Sequence, residues 1–207
     1  MHSGVIIAGG RSTRFGDADK AVADLAGTPM TRRVADRLEP IVDELVVNCR
    51  ADQRDALDDA LDGYPLPVTF AEDPETDQGP MAGIRNGLRG ASGEFAAVVA
   101  CDMPFLDPGF LDYLFERAAG HEAAVPRVGE GGWFQTTQAV YHADAMADAC
   151  DDALARDARK IIEPLFDLDY VVVTEDEVEE HAANGLDTFE NLNTREEFEA
   201  AQSHFSG

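Results

Sequence analysis

Apolar residues along this chain fall into short runs separated by polar, helix-patterned stretches. Runs at 4–8, 44–49, 68–71, 95–101 and 123–126 have the length of strands. Several are nearly all apolar, as strands covered on both faces are. The intervening stretches read as helices. One opens at Thr28-Pro29, with Thr28 as N-cap and Pro29 at the first helical position, and others cover 52–61, 80–87 and 108–119. Strand alternating with helix implies right-handed crossovers and a mainly parallel sheet. The regularity changes after residue 126. Gly129-Glu130-Gly131-Gly132 reads as a hairpin tip or flexible loop, followed by a strand near 137–141 and helices at 143–154 and 159–166. A β-branched strand at 170–174 and a helix at 194–203, capped by Thr194, close the chain. No repeat or low-complexity linker divides the 207 residues, and 44% hydrophobic content suffices for one substantial core. The expected fold is α/β: a single three-layer α/β/α domain over 1–207.

In an open sheet of this kind, ligands sit beyond the carboxyl ends of the strands. Those ends carry Ala8-Gly9-Gly10, Asn48, Glu72-Asp73-Pro74 and Cys101-Asp102-Met103-Pro104. Asp102 ends an apolar strand, where a carboxylate is costly unless paired or bound to a cation. It is a candidate Mg²⁺ ligand, since magnesium takes one or two carboxylates together with phosphate oxygens. The alternative is that Asp102 caps a helix following Pro104. Asn48 and Asp73 could each hydrogen-bond a ribose or base, or serve as turn residues. Gln78-Gly79-Pro80-Met81-Ala82-Gly83 sets a helix N-terminus near the same edge, although Pro80 alone accounts for a helix start.

Charge changes the reading of the first loop. The net charge is −25, and Lys20 and Lys160 are the only lysines, yet Arg11, Arg14 and Lys20 cluster just after Gly9-Gly10. Strand, glycines, then cations is the order of a loop that wraps a polyphosphate. Without a Cβ, the backbone can reach left-handed dihedrals, approach a ligand closely and aim N–H groups at phosphate oxygens. The loop is neither a P-loop nor a dinucleotide fingerprint: Gly16 is followed by Asp17, and Gly10-Arg11-Ser12-Thr13 does not supply the second glycine. A plain tight turn is the alternative.

The same acidity, with a pI near 4.2, argues against a nucleic-acid partner, which needs a basic footprint. Spread along the whole chain, it has the form of adaptation to high salt, where repulsion is screened. No apolar run is long enough to span a bilayer, and the N-terminus has neither a basic region nor a cleavable apolar segment. Cys49, Cys101 and Cys150 are odd in number, far apart and without C-x-x-C, which predicts free thiols, no zinc site and a cytoplasmic location. Cys101 reads as a buried filler. His2, His121, His142, His181 and His204 lack metal-ligand spacing, and there is no Gly-x-Ser-x-Gly elbow. Asn191-Leu192-Asn193-Thr194 is either a capped turn or part of a site. Arg159 and Lys160 form a late basic pair that could meet an anionic second substrate.

Together these residues resemble the nucleotidyltransferases of the molybdenum cofactor guanylyltransferase (MobA) type. The resemblance rests on Ala8-Gly9-Gly10-x-x-x-Arg14-Phe15-Gly16-x-x-x-Lys20, Gly27-Thr28-Pro29-Met30, Val46-Val47-Asn48 and Glu72-Asp73. It continues through Gly79-Pro80-Met81-Ala82-Gly83, Cys101-Asp102-Met103-Pro104 and Asn191-Leu192-Asn193-Thr194. It implies a Rossmann-like nucleotidyltransferase sheet, with 1–105 carrying the nucleotide and 106–207 the acceptor. It also implies that Ile7, Ala8, Gly9 and Gly10 hold the guanine nucleotide and that Lys20 contacts its phosphates. Asn48 and Asp73 would meet the nucleoside, and Asp102 the Mg²⁺, with Asn193 beside the same metal. Arg14, Lys20 and Asp102 are then the catalytic set. Phe15 stands where the family more often has Met. Trp133-Phe134-Gln135-Thr136-Thr137 replaces a usual His-Pro pair on the acceptor side.

The implied reaction joins GMP from GTP to the terminal phosphate of molybdenum-molybdopterin and releases pyrophosphate. Transient contacts with proteins that deliver molybdopterin or receive the cofactor would accompany it. Alternatives are guanylyl or cytidylyl transfer to another phosphate acceptor (molybdopterin cytidylyl transfer, cobinamide phosphate or a sugar phosphate) and a nucleotide-binding regulator without catalysis.

Overall fold

The structure is a computed structural model that describes residues 1–10, 19–74, 79–158 and 160–205. Arg11, Arg14, Phe15, Gly16, Gln78 and Arg159 lie outside the described residues. Strand β1 (His2–Ile7) is central and pairs in parallel with β4 (Glu44–Cys49) on one side and β6 (Phe95–Ala100) on the other. Beyond β4 lies parallel β5 (Val68–Glu72). Beyond β6, strand β9 (Gln138–His142) runs antiparallel and separates it from β7 (Ala123–Val128). Strand β10 (Tyr170–Thr174) pairs in parallel with β7 at the far edge, and two-residue β8 (Trp133–Phe134) folds back antiparallel on β7. The path is β10-β7-β9-β6-β1-β4-β5, so the mainly parallel α/β sheet expected from the sequence is present. Its reversed strands lie in the C-terminal part.

Alternate residues of the central strands feed two separate cores. Val5, Val46 and Val98 face α3 (Pro80–Gly90) and α5 (Ala143–Ala155). Ile6, Val47 and Val99 face the layer of α1 (Met30–Leu38), α2 (Arg54–Ala60), α4 (Pro108–Ala118) and α6 (Glu175–His181). A one-residue slip would exchange the two sets, so register is fixed by burial on both faces. Helix α7 (Arg195–Phe205) packs Phe198 and Ala201 against Leu25 and Met30, outside the main layers. Helix α3 lies unusually close to the sheet. A Cβ on Gly87 would stand 2.5 Å from Val5 Cγ1, and one on Gly83 2.5 Å from Asn48 Oδ1.

Two local expectations are corrected, and one further helix appears. Thr28 does not cap α1. It pairs with Leu25 in a hairpin of β2 (Asp24–Leu25) and β3 (Thr28–Pro29), and the helix starts at Met30. The hairpin turns through Ala26 and Gly27, both with positive φ (52° and 83°), as a two-residue primed turn requires. The stretch 159–166 is not a helix in its described part; only a 3₁₀ turn forms, at Pro164–Asp167. Pro164 has no N–H and cannot occupy a helix interior. Helix α6 was not anticipated, although Thr174 and Glu177 form a capping box at its start.

Candidate active site

The carboxyl ends of β5, β4, β1 and β6 line up in register through Ala71, Asn48, Ile7 and Ala100. Two polar clusters stand on that edge. In the first, Lys20 opens a 3₁₀ turn whose N-cap, Asp19, accepts the Ala21 N–H at 3.0 Å. Lys20 Nζ donates to Asp102 Oδ2 at 2.6 Å and to Asn193 Oδ1 at 3.2 Å. The Lys20 and Asp102 side chains are only 11% and 13% exposed. Asp102 Oδ1 is buried and, among the described residues, has no hydrogen-bond partner. Asp102 is not a helix cap: Asp107 fills that role, accepting the Phe110 N–H at 2.8 Å to start α4.

Asn193 reaches this cluster because its segment is pinned at both ends. Leu192 N–H donates to the Asp102 carbonyl at 2.9 Å. Asn193 N–H and Thr194 N–H donate to Glu197 Oε2 at 2.7 and 2.9 Å, and Glu197 N–H returns a bond to Thr194 Oγ1 at 3.2 Å. Those backbone donors, Thr194 first and Asn193 next, hold the Glu197 carboxyl below the usual carboxylate range. The segment is therefore a helix cap and a site element at once.

The second cluster underlies Gly9. Asn48, completely buried, donates through Nδ2 to Asp73 Oδ1 at 2.7 Å and to the Ala71 carbonyl at 3.1 Å. Asn86 of α3 donates to the same Asp73 oxygen at 2.8 Å. Asn48 Oδ1 is buried and, among the described residues, unpartnered. A Cβ on Gly9 would lie 2.6 Å from Asp73 Oδ2 and 3.2 Å from Asn48 Oδ1, whereas one on Gly10 would meet nothing within 4 Å. Neither glycine has positive φ. The need for glycine at position 9 is thus steric, not the left-handed backbone expected from the sequence.

Sequence reasoning missed the groups that brace this loop. Arg50 donates through Nη1 to the carbonyls of Gly9 (3.2 Å) and Gly10 (3.1 Å), and its Nη2 lies 3.6 Å from Asp19 Oδ2. Gln53 Nε2 donates to the Ala8 carbonyl at 3.1 Å and to Asp19 Oδ2. Arg50 immediately follows the end of β4, so reading one residue past that strand would have found it. Asn86 lies on the same face of α3 as Gly83 and Gly87, three residues after one and beside the other, and helical spacing was the available signal.

Burial pushes the Cys101 thiol up to about 12, so it stays protonated and cannot act as a nucleophile. All three cysteines are free. Among the described residues no three His, Cys, Asp or Glu groups cluster as a metal site. The available donors are the unpartnered Asp102 oxygen and the Asn193 amide oxygen, both hard. That set fits a divalent cation that draws its other ligands from water and phosphate.

A family model described as the MobA-like NTP transferase domain matches residues 4–178. This chain belongs to the MobA-like NTP transferases. A MobA-like relative from Natronomonas pharaonis, described as a probable molybdenum cofactor guanylyltransferase, is 52% identical over 99% of this chain and 98% of its own length. Another of the same description from Haloferax mediterranei is 41% identical, covering 97% and 93%. The crystal structure of molybdopterin-guanine dinucleotide biosynthesis protein A from Archaeoglobus fulgidus superposes with a TM-score of 0.79 at 25% identity, over 99% of this chain and 98% of that one. MobA-type nucleotidyltransferases use a divalent metal. Among the described residues no helix is long and apolar enough to cross a membrane.

Within this MobA-like fold the predicted residues divide cleanly. Lys20, Asp102 and Asn193 meet in one cluster; Gly9, Asn48 and Asp73 meet in the other; Ile7 ends β1 and Ala8 follows it directly. Arg14 lies outside the described residues.

Proposed function

We propose that this chain transfers GMP from GTP to the terminal phosphate of molybdenum-molybdopterin, forming the guanine dinucleotide cofactor and releasing pyrophosphate. The observation that carries the reading is the Lys20 ammonium held between Asp102 and Asn193 beside a buried carboxylate oxygen that has no partner among the described residues. The names of its full-length relatives support the choice of GTP and molybdopterin. Residues 1–105 carry the nucleotide and 106–207 the acceptor, with Asn193 reaching back to the nucleotide side. Three free thiols suit a cytoplasmic enzyme.

The attacking group is a phosphate monoester whose second pKa is about 6, so near neutrality it is already largely dianionic. It needs little help from a general base. Asp102 is engaged by Lys20 and serves charge rather than proton transfer. What the chain must supply is in-line positioning and compensation of charge on the departing pyrophosphate. Lys20 supplies a cation on the sheet edge that also carries Gly9 and Gly10, and Arg50 holds the carbonyls of those two glycines. Asp73, fixed by Asn48 and Asn86, offers acceptor oxygens for the nucleoside. When bound, Mg²⁺ held by Asp102 and Asn193 would add charge neutralisation at the phosphates.

The test is pyrophosphate release in molar KCl with Mg²⁺ and molybdenum-loaded molybdopterin, comparing GTP, CTP and ATP. The salt matches the acidic surface, which we read as adaptation to high salt. Release with GTP alone, with a guanine dinucleotide product, is the expected result. Release with CTP alone would assign cytidylyl transfer instead, and tight GTP binding without release would favour another acceptor or a regulator.

A further inference from the structure

A second concave surface opens on the same sheet edge as Asp102. It is lined by Trp133, Phe134, Thr136, Lys160, Ile161 and Ile162. Strand β8 pairs with the carboxyl end of β7, Val128 opposite Trp133. Thr136 is buried, and its neighbour Thr137 accepts the Ala100 N–H at 3.2 Å, two residues before Asp102. One short segment therefore joins this cleft to the catalytic carboxylate.

Two residues of the cleft are exposed. Trp133 is 74% exposed. Its strand neighbour Phe134 points into the core side, packing edge-on against Phe166 and Tyr170 with ring centroids 6.2 and 6.0 Å away. The indole is held from beneath: Gly131 lies so close that a Cβ there would collide with the ring, and the Gly132 carbonyl is tied by Arg127 Nε at 2.7 Å. Lys160 is exposed, and among the described residues its Nζ meets no carboxylate, although acidic residues outnumber basic ones 41 to 16. A fixed, exposed aromatic plane next to a free cation and two isoleucines suits a flat, anionic heterocycle.

We propose that this cleft holds the pterin end of the acceptor, stacked on Trp133 with Lys160 facing its negative charge. This rests on the acceptor assigned under the proposed function. It makes Trp133 and Lys160 determinants of acceptor recognition.

Trp133 is the only tryptophan in the chain, so its emission reports the cleft directly. The experiment titrates pterin-6-carboxylate into the full chain in molar KCl, corrects for pterin absorption, and then measures acceptor kinetics. Saturable quenching is expected, weakened several-fold in Lys160→Gln. Trp133→Ala should raise the acceptor KM roughly tenfold, the scale of one lost stacking contact, while the Kd for GTP holds. Trp133→Phe should recover most of that loss, and it decides the case if the alanine variant fails to fold. Unchanged emission at saturating pterin carboxylate, or an unchanged acceptor KM in both variants, overturns the proposal and leaves guanylyl transfer standing. So does emission that is blue-shifted in the free protein and shifts on dilution, which would mean that a second copy covers the indole. Saturable, Lys160-dependent quenching in a chain that does not turn over molybdopterin would keep the cleft and sink the proposed reaction.

Discussion

The two lysines of this chain live in opposite surroundings. Lys20 is 9% exposed, fixed on Asp102 and Asn193 at the centre of the sheet edge, whereas Lys160 stands in solvent beside Trp133. On the edge that carries Lys20, hydrogen bonds fix the polar groups: Arg50 on the Gly9 and Gly10 carbonyls, Gln53 on Ala8, Asn48 and Asn86 on Asp73. Around Lys160 the lining is aromatic, aliphatic and partly exposed. The contrast separates two tasks. Preorganised dipoles and charges act on a transition state without reorganising. An open apolar plate with one long, flexible cation instead captures a ligand by shape and area.

The sharpest way to break this contrast is to remove Asp102. Asp102→Ala is expected to lower the rate of pyrophosphate release by roughly 10³-fold or more while far-UV circular dichroism is unchanged; retained turnover would end the metal assignment. Next comes the lysine pair itself. Lys20→Met leaves a buried carboxylate without its cation and should cost about 3–5 kcal/mol in urea unfolding. Lys160→Gln, on an open surface, should stay within about 0.5 kcal/mol. Equal effects would show that burial does not distinguish them.

Two adjacent glycines give a smaller and more local test. Gly9→Ala forces a Cβ to within 2.6 Å of Asp73 Oδ2, and Gly10→Ala enters open space. The first should lose about 1–3 kcal/mol and weaken GTP binding as Asp73 is displaced. The second should be neutral in stability. The smallest effect is acid sensitivity at Glu197, whose folded pKa is lowered from its ordinary value of about 4.5 by the Thr194 and Asn193 N–H groups. A depressed carboxylate stabilises fully above its unfolded pKa and loses that contribution as pH falls through its folded pKa. The gap in urea midpoint between the unmodified chain and Glu197→Gln should therefore be widest above pH 4.5 and close in more acidic buffer.

Much of this was legible in the sequence for a physical reason: strands buried on both faces advertise themselves, and the chemistry sits where they stop. Asp102, Asn48 and Asp73 were found by reading strand ends alone. What escaped was whatever depends on a partner distant in sequence. Asn193 was placed beside Asp102 only through the family resemblance, since nothing near it says that it will share a hydrogen bond with Lys20, and nothing near Arg50 says that its guanidinium will cover two glycine carbonyls. Thr28-Pro29 misled because its local capping signature lost to the pairing of Thr28 with Leu25. The supposed helix over 159–166 failed on a signal that was present, Pro164.

Lys20 and Asn193 are 173 positions apart, and Leu192 docks on the carbonyl of Asp102. Chains emerge from the ribosome at about 5–20 residues per second, so a nascent chain that has already made β1, β4 and β6 waits on the order of several seconds for Asn193. Until then Lys20 and Asp102 can pair, but the third member of the cluster is missing. The enzyme is thus assembled last at its centre, and a truncated product lacking the closing segment would keep most of its sheet while lacking a finished site.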